Sequence, residues 1–165
     1  MVENQALWKL ENVTKTYMMG QVQVTALRET SMEIPEGELL VILGPSGSGK
    51  TTLLNLLGGM DTPTGGRVFF DGESLEGANE KRLTAYRRDV VGFVFQFFNL
   101  VPDLTALENV ALGAHLAQNP LSPETVLEEV GMADRMNHFP SQMSGGEQQR
   151  VSIARAIVKN PRLLL

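Results

Sequence analysis

Residues Gly44 to Thr51 read GPSGSGKT and have the spacing G-x-x-x-x-G-K-[ST]. Glycines 44, 47 and 49 let the main chain curl until successive amides point inward, a geometry that suits phosphate oxygens. Lys50 then supplies an ammonium for the β- and γ-phosphates, and the Thr51 hydroxyl a hard ligand for Mg²⁺. A run of strand type, ELLVIL (38–43), precedes the loop, and a helix-forming run, TLLNLL, follows it. A helix starting near Lys50 would add its positive end to the same anion. The expected chemistry is binding of a nucleoside phosphate; the plain alternative is a glycine-rich turn.

A second glycine pair occurs in SGGEQQR, Ser144 to Arg150. Ser144 with Glu147 three residues on reads as a capping box. That leaves two glycines in the first turn of a helix, where each costs about 1 kcal/mol of propensity. Bare amides there make sense if an anion must come close. Two anion cradles in one chain point to a shared site.

The elements that position these loops follow from apolar spacing. LWKLENV (7–13) and TSMEIP (30–35) alternate as half-buried strands do, and RVFFDG (67–72) runs into a turn at Asp71-Gly72. ELLVIL (38–43), VVGFVF (90–95) and the terminal leucines of NPRLLL are predicted as strands buried on both faces. Thr105 and Glu108 form a second capping box, and Ser122-Pro123 reads as an N-cap followed by proline at the first helical position. Val151, Ala154, Ile157 and Val158 make one apolar stripe, which Pro161 should end. Strands, then helices over about 105–158, then a strand again predict an α/β core with a helical insertion.

Composition narrows the class. A chain of 165 residues with 42% apolar and 20% charged residues is of single-domain size. A net charge of −5 disfavours general nucleic-acid or anionic-membrane binding. The basic stretch KRLTAYRR (81–88) is flanked by Glu80 and Asp89 and reads as a solvated helix face. With no cysteine, disulfides, thiolate metal sites and cysteine nucleophiles are excluded. His115 and His138 lack ligand-like spacing, and the eight methionines read as core fillers. The first residues, MVENQALWKLEN, show no signal peptide, and no apolar run approaches the roughly 18–20 residues that cross a bilayer.

The phosphate loop, VFQFFNL and SGGEQQRVSIARAI, in this order, resemble the ATP-binding cassette (ABC) ATPase family. FVFQFFNLVPDLTALENV and LGGMDTPTGGRVFFDG look most like the branch serving macrolide exporters, lipoprotein-releasing complexes and mechanotransmission systems. The resemblance implies a P-loop NTPase core with a mixed, RecA-like sheet, an antiparallel β portion near the N-terminus and an inserted helical subdomain. Residues 1–98 with 159–165 would form the core and β portion, and about 99–158 the helical part. It further implies ATP and Mg²⁺ as ligands. Gly44, Ser46, Gly47, Ser48, Gly49, Lys50, Thr51 and Thr52 would hold the phosphates, and Tyr17 would stack on adenine. Thr51 and Gln96 would meet the metal, with Lys50 and Gln96 the residues nearest the reaction. Without the resemblance, Tyr17 reads as an amphipathic strand-end residue and Gln96 as a solvated loop residue.

Ser144, Gly145 and Gly146 match the family's signature motif, which completes the ATP site of the opposite subunit in a head-to-tail dimer. Met143 and Glu147 depart from the usual Leu and Gln. The second change sets a carboxylate near a phosphate unless Glu147 folds back onto its cap. Phe95 is expected in the core, and Phe97 and Phe98 either anchor a partner helix or pack internally. The implied partners are a like ATPase subunit and a membrane permease reached through the Gln96 region. The implied location is cytoplasmic, peripheral on the inner membrane. The alternatives are a natural truncation product that binds nucleotide or partner without catalysis, and a non-transport ABC ATPase working on nucleic acid or ribosomes. The acidic charge and the short interval from Gln96 to Ser144 disfavour the chromosome-maintenance type of the latter. RLLL matches the strand after which this family carries a metal-binding Asp and a catalytic Glu. From its last residue, Leu165, the expectation for this polypeptide is weak Mg-ATP binding with negligible turnover.

Overall fold

The computed structural model describes residues 6–165. These form two compact units, divided along the chain as 6–84 and 85–165. In the first, β1 (Ala6–Met19) and β2 (Val22–Pro35) make a long antiparallel hairpin turned at Gly20. β3 (Gly65–Phe70) pairs antiparallel with the other edge of β1, and β4 (Glu73–Ser74) with β3, giving the order β2-β1-β3-β4. Alternation buries Trp8, Leu10, Val13, Leu27, Ile34 and Val68. Trp8 lies 5.1 Å from the Phe70 ring.

α1 (Lys50–Leu57) buries Leu53, Leu56 and Leu57 and starts hard against β2. A Cβ on Gly49 would lie 2.6 Å from the Ala26 carbonyl oxygen and 3.2 Å from Leu27 Cδ1. No other residue could begin the helix so close to the strand, and the left-handed φ of 92° at Gly49 excludes side chains a second time.

α2 (Glu80–Asp89) carries the basic stretch as a helix, as its composition predicts. The second unit then pairs β5 (Val91–Gly92) in parallel with β6 (Leu163–Leu164). α3 (Ala106–Leu116), α4 (Pro123–Glu129) and α5 (Gly145–Ile157) enclose a core of Ala106, Val110, Val126, Leu127, Met132, Val151, Ala154 and Val158. All three helices begin where the capping residues predict: Thr105, Ser122 and Ser144 each accept a hydrogen bond from the third amide beyond. Gly113 lets α3 meet α5, since a Cβ there would lie 2.6 Å from the Arg155 carbonyl oxygen. Fully buried Asn109 accepts from the Val101 amide and donates to the Val101, Leu104 and Thr105 carbonyls at 2.8–3.1 Å, so the loop before α3 is tied down without an unsatisfied polar atom.

Three expectations are corrected. ELLVIL (38–43) joins no strand among the described residues, and Leu39 is 92% exposed. An apolar run becomes a strand only where a ladder partner takes up its amides, and among the described residues no strand pairs with this one. In 90–95 only Val91–Gly92 is strand; the ladder's last bond is from the Val94 amide to the Leu165 carbonyl, at 2.7 Å. Phe95 therefore lies outside the core, exposed and stacked on Phe93 at 5.8 Å. Leu164 is likewise exposed on one side of β6 instead of buried on both.

Candidate functional site

The loop 44–51 is built around its own lysine. The Lys50 ammonium donates to the Gly44 and Pro45 carbonyls, both at 2.8 Å, and reaches Ser48 Oγ at 3.5 Å. The Ser48 amide turns back to the Pro45 carbonyl at 3.2 Å. Gly47 (φ 79°) and Gly49 both lie in the left-handed region. α1 differs from α3 and α5 at its start: Gly49 gives no side-chain cap, and no acid occupies the first turn. Its leading amides and positive end are thereby left to an outside anion. Residues 44–48 and Thr51 are exposed, and Thr52 is partly buried.

Tyr17 stands beside this helix. Its hydroxyl donates to Asp61 Oδ2 at 2.7 Å and lies within hydrogen-bonding reach of Thr52. Lys15 Nζ meets Asp61 Oδ1 at 2.5 Å and lies 4.9 Å from the Tyr17 ring centroid. Asp61 raises the Tyr17 pKa above its ordinary value, chiefly through this hydrogen bond. For Asp61 itself burial works upward, but the bonds from Lys15, Tyr17 and the Thr62 amide outweigh it and hold the carboxyl low.

Gln96 lies in the second unit, exposed in the loop after β5 between exposed Phe95 and Phe97, the latter 81% accessible. Phe98 and Asn99 both take left-handed backbone, with φ 53° and 50°. α5 grips this bend: Arg155 donates to the Phe98 and Asn99 carbonyls, each at 2.7 Å, and Ser152 Oγ to the Phe98 carbonyl at 3.2 Å.

At the start of α5, Glu147 folds back. Its Oε2 accepts from the Ser144 amide at 2.7 Å and from Ser144 Oγ at 2.8 Å, and Arg135 approaches its other oxygen at 3.5 Å. The Ser144 amide holds the carboxyl pKa low. A Cβ on Gly145 or Gly146 would meet nothing within 4 Å. Packing inside this chain therefore gives no reason for either glycine.

The structure thus brings Tyr17, Thr52 and Lys50 to one helix start in the first unit. Gln96 and Ser144–Gly146 belong to the second, at opposite ends of what α5 holds. Asp61, Lys15, Ser152 and Arg155 have no local signature in the sequence; their partners lie 44 to 57 positions away. Among the described residues no helix is long and apolar enough to cross a membrane, and no three acidic, histidine or cysteine side chains cluster as metal ligands.

Known proteins resemble the chain over most of its length. The lipoprotein-releasing system ATP-binding protein LolD 1 of Chlorobium luteolum is 46% identical over 170 residues, 96% of this chain and 72% of its own length. An uncharacterised ABC transporter ATP-binding protein of Thermotoga maritima is 48% identical over 162 residues, covering 95% and 69% of the two chains. Among solved structures, the dimeric ATP-binding cassette MJ0796 bound to ADP and Pi superposes with a TM-score of 0.84 at 47% identity, over 95% of this chain and 72% of that one. CbiO1 of Clostridium perfringens, part of the ABC transporter complex cbiONQ, gives 0.82 at 27% identity, over 97% and 64%. The ABC transporter family model matches residues 27–165, and the chain belongs to that family, among its ATP-binding cassettes.

Proposed function

We propose that the chain is the nucleotide-binding engine of a lipoprotein-release-like or mechanotransmission complex, working as a head-to-tail pair of like subunits on the cytoplasmic face of the inner membrane. ATP is the ligand of the loop 44–52. The observation that carries this reading is the start of α1: left-handed Gly49, no side-chain cap, and the Lys50 ammonium drawn into the loop. Amides, dipole and ammonium all favour a triphosphate there. Tyr17 offers its ring to adenine beside Thr52.

The donor set suits Mg²⁺, a hard cation that keeps several waters and takes one or two protein oxygens besides the phosphates. Thr51 Oγ1 would be one of those oxygens, and the family resemblance would add the Gln96 amide oxygen. When bound, the ion neutralises charge developing on the phosphoryl group. Lys50 does the same from the protein side. Gly145 and Gly146, which nothing in their own chain requires, open the α5 amides to the partner subunit's γ-phosphate, with Ser144 at the cap. Each nucleotide is then held between two anion-seeking helix starts, so binding draws the subunits together and loss of the γ-phosphate releases them. Gln96, with exposed Phe95 and Phe97 on either side, passes that closure to a membrane permease subunit.

Equilibrium titration with ATP tests this. Saturable binding is expected, weakened by about tenfold or more in Lys50→Ala, since one charge-assisted contact of ~1.4 kcal/mol corresponds to tenfold. No saturable binding by the parent chain, or equal binding by Lys50→Ala, would overturn it.

A further inference from the structure

Tyr17 is held by a small network that the phosphate loop does not need. Asp61 takes the Tyr17 hydroxyl on Oδ2 at 2.7 Å, and Lys15 Nζ on Oδ1 at 2.5 Å. The Thr62 amide adds a bond of 2.7 Å to Oδ1, and Lys15 also donates to the Thr62 carbonyl at 2.7 Å. Lys15 and Asp61 are sheltered, with side chains 11% and 25% exposed, so the pair is more than a surface contact. The Lys15 ammonium lies 4.9 Å from the Tyr17 ring centroid, and the residue keeps enough exposed surface to receive a flat ligand. The network is anchored at the far end of α1, because the Met60 and Asp61 amides donate to the Asn55 carbonyl at 2.9 and 3.3 Å.

We propose that Asp61 is the positioning residue for the nucleotide base, fixing the plane of Tyr17 with Lys15 as its second strut and tying that plane to the helix that begins at the phosphate loop. This rests on reading Tyr17 as the base platform. A tyrosine on a strand flank otherwise swings between rotamers and must be ordered by each ligand that stacks on it. Held at the hydroxyl and braced by a cation, it meets the base already set. Base and phosphates are then registered by one rigid element, α1, which carries Lys50 and Thr52 at its start and leads into Asp61 at its end. The ligand class is an aromatic nucleoside di- or triphosphate, and a polyphosphate without a base should not sense Asp61.

Calorimetric titration of the full chain with ADP and with inorganic tripolyphosphate separates the possibilities. In Asp61→Ala, ADP should weaken about three- to tenfold, the effect of ordering one or two side chains on binding. Tripolyphosphate should stay within about twofold, its contacts lying at the other end of α1. Tyr17→Phe keeps the ring and the Lys15–Asp61 pair but cuts the hydroxyl bond, and should show a smaller loss of the same kind. Unchanged ADP affinity in both variants, or an equal loss for ADP and tripolyphosphate, would overturn the role of Asp61. Parent-level ADP binding by Tyr17→Ala would instead overturn Tyr17 as the platform and leave the phosphate loop untouched.

Discussion

Replacing Arg155 by methionine should loosen the Gln96 loop while leaving the helical core in place. The guanidinium makes two 2.7 Å bonds, to the Phe98 and Asn99 carbonyls. A bond from a charged donor contributes about 1.5–3 kcal/mol, so the gross loss is about 3–6 kcal/mol. Two effects work against it. Phe98 and Asn99 sit at φ 53° and 50°, and left-handed backbone costs roughly 1–2 kcal/mol in a bulky residue and less in asparagine, all of it released if the bend opens. Asn99 is exposed, so its freed carbonyl finds water. The balance is a destabilisation of about 1–3 kcal/mol, or roughly 2–4 °C of melting temperature per kcal/mol for a chain this size. Burial lowers the Arg155 pKa, yet the group stays cationic at neutral pH, and Arg155→Lys retains the charge without the planar fork. Lysine should therefore recover less than half of the loss. Urea unfolding gives the stability change, and amide exchange across 96–100 gives the local one. An unchanged unfolding midpoint together with unchanged exchange in that segment would refute the idea that α5 holds the loop.

Two further outcomes are expected. Gly49→Ala combines a φ of 92° with a Cβ 2.6 Å from the Ala26 carbonyl and should cost more than about 2 kcal/mol, read as a fall in the thermal midpoint by circular dichroism. Asp61 and Asp89 both have folded pKa values below their ordinary ones, so their contribution is present above about pH 4 and lost as pH falls through the folded values. Urea midpoints measured from pH 7 to pH 3 should decline below about pH 4, and the decline should be shallower in Asp89→Asn, which gives up the Arg88 pair.

What the sequence made readable was local. Thr105, Ser122 and Ser144 marked helix starts because a cap and its amide are neighbours in the chain, and the fold-back of Glu147 follows from the same short-range geometry. Alternation marked β1 to β3, although both strands of the first hairpin run longer than the patterned stretches because pairing, once started, carries on to the turn at Gly20. ELLVIL misled because hydrophobicity reports a wish for burial and says nothing of a ladder partner. Phe95 misled because β5 leaves its ladder after Val94. The Phe98–Asn99 bend was hidden for another reason: phenylalanine seldom takes a left-handed backbone, and the carbonyl clasp that compensates comes from the distant Arg155. The link from Asp61 to Tyr17 spans 44 positions and leaves no pattern of its own.

The open space around Gly145 and Gly146 has an evolutionary and practical consequence. Alanine would fit at either position without displacing an atom of this chain and would raise helix propensity by about 1 kcal/mol. Any engineering effort guided by the thermal stability of the isolated subunit would therefore select against both glycines. On the proposed reading, the assembled pair feels their removal where the isolated chain does not. A variant can then be improved by every measure taken on the monomer and still fail as a machine.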